Sequence, residues 1–189
     1  MANFLDKVQP KNKAQLKSLI EYAFKHNIYD LNFIDISKIT DMSELFGNVE
    51  HDFDVSSWDV SNVIDISFMF YCCWNFDCDL SNWDMSNVEN AGYMFYCCKN
   101  FNCDLSKWNV SKMTDMRHMF RLCKNFDCDL SNWNVSNVTD MYSMFTACEN
   151  FKGKGLENWD VSKVKDMNYM FNNCDKVSIP SWYKLYHRK

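Results

Sequence analysis

Asp79-Leu80-Ser81-Asn82-Trp83-Asp84-Met85-Ser86-Asn87-Val88, continued by Glu89-Asn90-Ala91-Gly92-Tyr93-Met94-Phe95-Tyr96-Cys97-Cys98-Lys99-Asn100-Phe101-Asn102-Cys103, is one 25-residue unit that recurs along the 189-residue chain. Tryptophans stand at Trp58, Trp83, Trp108, Trp133 and Trp159, at spacings of 25, 25, 25 and 26. The pairs Met69-Phe70, Met94-Phe95, Met119-Phe120, Met144-Phe145 and Met170-Phe171 keep step, as do Cys73, Cys98, Cys123, Cys148 and Cys174. A degenerate unit lies 24 residues upstream of the first tryptophan unit, with Leu31, Ile34, Ile36, Ser37, Met42, Leu45 and Phe46 in the equivalent places. The one-residue insertion falls at Lys152-Gly153-Lys154-Gly155. Columns held in register over the whole array are the mark of a tandem repeat whose units bury their apolar faces against one another.

Inside each unit the hydrophobic period changes. Leu80, Trp83 and Met85 follow the rhythm of a short strand with its entry turn. Met116, Met119, Phe120 and Cys123 then recur at i, i+3, i+4 and i+7, which predicts one face of a short helix. The expected fold is therefore an α/β solenoid, a leucine-rich-repeat-like stack of about six coils, each a short parallel strand plus a short helix, some 25–30 Å long at the usual strand spacing. Asn12 with Gln15 three residues on predicts a helix start. Leu16, Leu19, Ile20, Ala23 and Phe24 then form one apolar face. The division expected is a capping helix over 1–27, the repeats over 28–178, and a second cap over 179–189 that includes Pro180, Trp182, Leu185 and Tyr186.

Charged residues make up 24% of the chain and hydrophobic ones 47%, which excludes a disordered chain. A net charge of −5 argues against general nucleic-acid binding, since no cationic surplus exists to neutralise phosphates. No apolar run approaches the roughly 20 residues of a membrane-spanning helix. The opening Met1-Ala2-Asn3-Phe4-Leu5-Asp6-Lys7 lacks a basic stretch followed by an apolar one, so a cytoplasmic location is expected, with the cell surface as the alternative if a leader was removed. In that compartment the ten cysteines are expected to be reduced.

The unit Phe-x-x-Asp-Leu-Ser-x-Trp-x-Val-Ser-x-Val-x-x-Met-x-x-Met-Phe-x-x-Cys, best matched by Phe101 to Cys123 and Phe126 to Cys148, resembles the repeat of bacterial and mycoplasma surface proteins. That group is similar to the leucine-rich-repeat proteins of the Bacteroides surface-protein type. The resemblance runs from about Leu31 to Cys174 and extends to the opening helix. It implies a stacked-repeat fold and an adhesion or recognition role.

Few residues suggest chemistry. Cys73 with Cys78, Cys98 with Cys103, and Cys123 with Cys128 have spacings compatible with structural zinc. Cys148 and Cys174 continue the first column without a partner five residues later, so a core column is the better reading and no metal is expected. The aspartates Asp54, Asp79, Asp104 and Asp129, and Asp41, Asp65, Asp115, Asp140 and Asp166, also recur. Calcium-binding repeats carry glycine-rich turns, and this chain has only 4 glycines. These carboxylates are expected instead to cap strand ends and helix starts. His26, His51, His118 and His187 share no column, and Ser61, Ser86, Ser111, Ser136 and Ser162 form one, as structural turn residues would. Gly153-Lys154-Gly155 lacks the Gly-Lys-Ser/Thr of a phosphate loop. Neither an enzyme, a small-molecule substrate nor a cofactor is expected.

Units that share a scaffold differ where they meet partners. Outward positions of the expected helices carry Phe68, Tyr71 and Trp74, then Tyr93 and Tyr96, then Arg117, His118, Arg121 and Lys124. Aromatic side chains beside basic ones compose a protein-binding hot spot. A second surface is the expected strand face at Asn82, Asp84, Lys107 and Asn132. The functional expectation is a protein-binding module that sequesters or inhibits an intracellular protein, such as a nuclease or a defence or host enzyme. A cell-surface adhesin is the alternative, and self-association is a third reading.

Overall fold

The computed structural model describes residues 7–186. Met1–Asp6, on which the expected absence of a leader partly rests, and residues 187–189 of the expected second cap lie outside the described residues.

The first helix, α1, runs Lys13–Lys25. Asn12 has an extended backbone, and its side chain accepts the Gln15 N–H at 3.0 Å. Gln15 reaches back one residue further than a standard capping box, accepting the Lys11 N–H at 2.8 Å. Leu16, Ile20 and Ala23 are buried, and Leu19 and Phe24 pack half-buried against the core. Phe24 meets Phe46 and Phe53 at 6.3 and 5.7 Å between ring centres. A single 3-10 turn, Leu156–Asn158, follows the insertion, and α2, Ser181–Tyr186, follows Pro180.

The expected α/β architecture is not what forms. None of the repeat units contains an α-helix or a strand among the described residues, and no sheet joins them. Units meet through isolated parallel bridges that run Asp41–Asp65–Asn90–Asp115–Asp140–Asp166. These bridges sit at the start of the expected helices. Leu80, Trp83 and Met85, expected as strand, instead build successive turns, with Trp83 N–H on the Leu80 carbonyl and Val88 N–H on that of Met85.

The reason lies in how the backbone amides are shared. From Met116 to Cys123, alternate N–H groups take different partners. Met119, Arg121 and Cys123 donate three residues back, to Met116, His118 and Phe120, at 3.0–3.2 Å. Met116, His118, Phe120 and Leu122 donate to the next unit, to the carbonyls of Asp140, Tyr142, Met144 and Thr146, at 2.8–3.0 Å. A helix would have kept all of these bonds within the segment. To send every second amide outward, His118 and Leu122 adopt φ of 55° and 65°, at the third residue of their turns, where Gly or Asn is usual. The same pair of positive φ values recurs at Glu44 and Asn48, Phe68 and Cys72, Tyr93 and Cys97, Ser143 and Ala147, and Tyr169 and Asn173. Each such residue costs on the order of 1 kcal/mol. Bonds to the neighbouring unit and the burial beneath them offset that cost.

The core is a set of ladders. Phe46, Phe70, Phe95, Phe120, Phe145 and Phe171 stack face to face, with centres 5.5–5.9 Å apart. The five tryptophans of the repeat column, Trp58, Trp83, Trp108, Trp133 and Trp159, are buried and donate Nε1–H to a carbonyl of the preceding unit, as Trp108 does to Leu80 at 2.9 Å. Trp182 of α2 continues that column, bonding the Leu156 carbonyl at 2.8 Å and lying 6.4 Å from Trp159. The thiols form a third ladder: Cys73, Cys98, Cys123, Cys148 and Cys174 donate S–H to the carbonyls of Phe46, Phe70, Phe95, Phe120 and Phe145 at 2.7–3.0 Å. Burial pushes these thiols up, Cys73 to about 12, so they stay protonated as donors.

Candidate functional site

Beside the Phe ladder, the same turns present two further columns outward. Backbone register defines them. Glu44, Phe68, Tyr93 and His118 each donate N–H to the equivalent carbonyl one unit on. Asn48, Cys72, Cys97 and Leu122 do the same, which aligns the residues before them: Gly47, Tyr71, Tyr96 and Arg121. Phe68 stacks on Tyr93 at 4.4 Å and 8°, and Tyr93 lies 4.3 Å from His118. Tyr71 stacks on Tyr96 at 4.9 Å and 12°, and the Arg121 guanidinium lies 5.9 Å from the Tyr96 ring centre. Tyr142 meets His118 edge-on at 5.0 Å, and Tyr169 meets Tyr142 edge-on at 5.7 Å. Of the aromatic residues picked from the sequence, Phe68, Tyr71, Tyr93 and Tyr96 are thus brought together as two parallel stacks, and Trp74 stands outside them.

They are less exposed than a helix surface would have made them. Phe68, Tyr71, Tyr93 and Tyr96 are half-buried, because each ring covers its neighbour. Trp74 is 45% exposed, with Lys99 Nζ 5.0 Å from its ring centre. His118, expected outward, is only 7% exposed. Burial first, and then the charge of Arg121, depress its imidazole to about 4, so it is neutral at pH 7. Its Nδ1 and the Arg121 Nε are buried without a hydrogen-bond partner. Burial likewise raises the Tyr71 and Tyr93 phenols above their ordinary value.

The expected basic patch is largely neutralised. Arg117 pairs with Asp115 at 2.5 Å and approaches Asp140 at 3.9 Å, and Lys124 pairs with Glu149 at 2.6 Å. Arg121 makes no ion pair among the described residues. The second surface is not a strand face, since no strand exists there. Asn82, Lys107 and Asn132 lie exposed at the same position of successive turns, and Asp84 is exposed two residues after Asn82. Asp84 accepts the Ser86 N–H at 3.0 Å, and Asn132 donates to the Ser106 carbonyl at 3.3 Å.

The recurrent aspartates close local turns rather than capping strands or helices. Asp79 and Asp104 accept the N–H groups of Ser81 and Ser106, both at 2.9 Å, and those bonds hold their carboxyls below the usual range. Cys103 and Cys128 lie 3.5 and 3.8 Å from the same two carboxylates. Their sulfurs accept the Leu80 and Leu105 N–H groups at 3.1 Å. Among the described residues, no three His, Cys, Asp or Glu side chains converge as a metal site.

Three residues of the stacks escaped the sequence reading: Glu44, Gly47 and Asn48. With Phe68, Tyr71 and Tyr93 they line a cleft of about 470 Å³ at the N-terminal end of the stacks. The 24-residue offset of the degenerate unit was the available signal, because it sets Glu44 and Gly47 beneath Phe68 and Tyr71.

The repeat spacing, its register and the turns that carry it extend over nearly all of the chain. Residues 14–121 and 98–184 match the family described as "Mycoplasma protein of unknown function, DUF285". The chain belongs to the DUF285 family. No curated protein and no solved structure matches it. Membership in DUF285 agrees with the resemblance to bacterial and mycoplasma repeat proteins and assigns no activity. No helix among the described residues of this DUF285 chain is long and apolar enough to cross a membrane.

Proposed function

We propose that the chain is a non-catalytic protein-binding module whose contact surface is the double aromatic stack of Phe68, Tyr71, Tyr93 and Tyr96, continued by Arg121, with His118 buried behind it. The observation that carries this reading is the stack itself. Half-buried rings on a rigid turn array lose little side-chain freedom when a partner covers them, and aromatic and Arg anchors contribute most of the energy at protein interfaces. Trp74 borders the surface, as do Lys124 and Arg117, whose charges would steer association more than hold it. In this reading the module sequesters or inhibits an intracellular protein. The resemblance to surface repeats favours a second reading, recognition of a host protein at the cell surface, and the same aromatic face would serve it.

The test is affinity capture with the full chain, identification of the retained protein by mass spectrometry, and titration of that protein with variants. Tyr71→Ala/Tyr96→Ala should weaken binding by about 2 kcal/mol, roughly thirtyfold, as hot-spot truncation does. Arg117→Glu/Arg121→Glu should mainly slow association. Unchanged affinity in both double variants would move the site to the turns at Asn82, Asp84, Lys107 and Asn132.

A further inference from the structure

The Tyr71–Tyr96 stack is closed at one end and open at the other. At the closed end the next position is Arg121, whose planar guanidinium lies over the Tyr96 face. At the open end the equivalent position is Gly47, so the rung that would cover the other side of Tyr71 is missing. The resulting gap is the 470 Å³ cleft lined by Glu44, Gly47, Asn48, Phe68, Tyr71 and Tyr93. Glu44 is exposed there, and its carboxylate has no partner among the described residues. On α1, Lys13 is held by Asp41 and Ser43, at 2.9 and 2.5 Å.

The geometry points to a binding slot for an arginine side chain of a partner protein, stacked on Tyr71 with its guanidinium paired to Glu44. This deepens the protein-binding reading and rests on it. Three features select the occupant. The missing rung has the thickness of one planar group, as its neighbours at 4.9 and 5.9 Å show. The lining offers an unpaired carboxylate and no cation. The chain itself completes the far end of the same stack with a guanidinium. A lysine ammonium could pair with Glu44, but it has no plane to lay on Tyr71; a guanidinium stacks and pairs at once.

The probe is N-acetyl-arginine amide titrated into the full chain while the ring resonances of Tyr71 and Phe68 are followed by NMR. The corresponding lysine amide, citrulline amide and adenosine serve as comparisons. Saturable shifts are expected with Kd of about 5–50 mM, the range of one stacked cation with one surface ion pair. The lysine and citrulline compounds should bind at least about fivefold more weakly. Gly47→Tyr should abolish the shifts by supplying the missing rung; a Cβ on Gly47 meets only the Tyr71 carbonyl oxygen, at 3.9 Å, so the backbone has room to start a side chain there. Glu44→Gln, which removes charge but not shape, should weaken arginine about threefold to tenfold and provides the check if Gly47→Tyr does not fold. Absence of saturation at Tyr71, equal binding of lysine, or tighter binding of adenosine would each overturn the slot. A captured partner whose affinity falls with Arg117→Glu/Arg121→Glu and not with Gly47→Tyr would overturn the slot alone and leave the binding-module reading standing.

Discussion

Phe120 and His118 stand two residues apart on one turn, and both donate their backbone N–H to the next unit. Their columns could hardly differ more. The Phe120 column carries phenylalanine in all six units, from Phe46 to Phe171, stacked in the core. The His118 column runs Glu44, Phe68, Tyr93, His118, Ser143, Tyr169, on a backbone whose φ stays between 53° and 60° throughout. Identical backbone geometry with divergent side chains means that the turn array is a frame indifferent to what it displays. The inner column builds the frame, because a close-packed interior tolerates one shape. The outer column is free to carry a recognition pattern, and only its aromatic members pack on one another.

Substitutions at the two kinds of position should separate by size of effect. The largest is expected in the inner frame: Trp108, 2% exposed, fills the centre of its column, so Trp108→Ala should cost about 3–5 kcal/mol in denaturant unfolding. A loss below 1 kcal/mol would show that the columns do not carry the stability. Next come the glycines. Gly155 has φ of 90°, and a Cβ there would run into the Ser131 backbone, so Gly155→Ala should cost about 2–3 kcal/mol. Gly47→Ala, in open space, should stay within about 0.5 kcal/mol.

His118 blurs the distinction, being an outer residue drawn inward, and pH is the way to weigh it. Its folded value of about 4 lies below the 6.5 of a free imidazole. Between those values the unfolded chain binds a proton that the folded chain refuses, so stability falls as the pH drops below about 6.5. From pH 7 to pH 5 the native chain should therefore lose about 1–2 kcal/mol more than His118→Phe. Parallel pH profiles for the two would place His118 in solvent. A smaller effect than at His118 is expected on the outer stack, where Tyr71→Ala or Tyr96→Ala should each cost about 1 kcal/mol, the worth of one half-buried ring pair. A cost near that of Trp108→Ala would make the outer stack part of the frame and weaken its claim as a binding surface.

The repeat period, the insertion at Gly153 and Gly155, the inward set Ile66, Met69, Phe70 and Cys73, and the helix start at Asn12 were all legible from residue order, because each is written in spacing or in a side-chain hydrogen bond across three residues. The aromatic members of the candidate site were legible for the same reason: they break an otherwise repeating column. Their pairing into stacks, the burial of His118 and the open rung at Gly47 were not, because each depends on which residue of the neighbouring unit lies alongside.

Secondary structure was misread for a physical reason that the Phe-Met-Phe segment shows well. Inward positions at 66, 69, 70 and 73 satisfy the helical period, and the structure does bury all four. The apolar pattern therefore determined which side chains face the core, and it did so from order alone. It could not determine where the amides go. Phe68 and Tyr93 have no local preference for positive φ, and no glycine occupies any of these places. The left-handed backbone there and at His118 exists because Phe68 N–H reaches Gly92, Tyr93 N–H reaches Arg117, and His118 N–H reaches Tyr142, each a bond to a residue about 24 positions away. Those bonds form only once the units are stacked, so the choice between a helix and a chain of turns was made by the neighbouring unit.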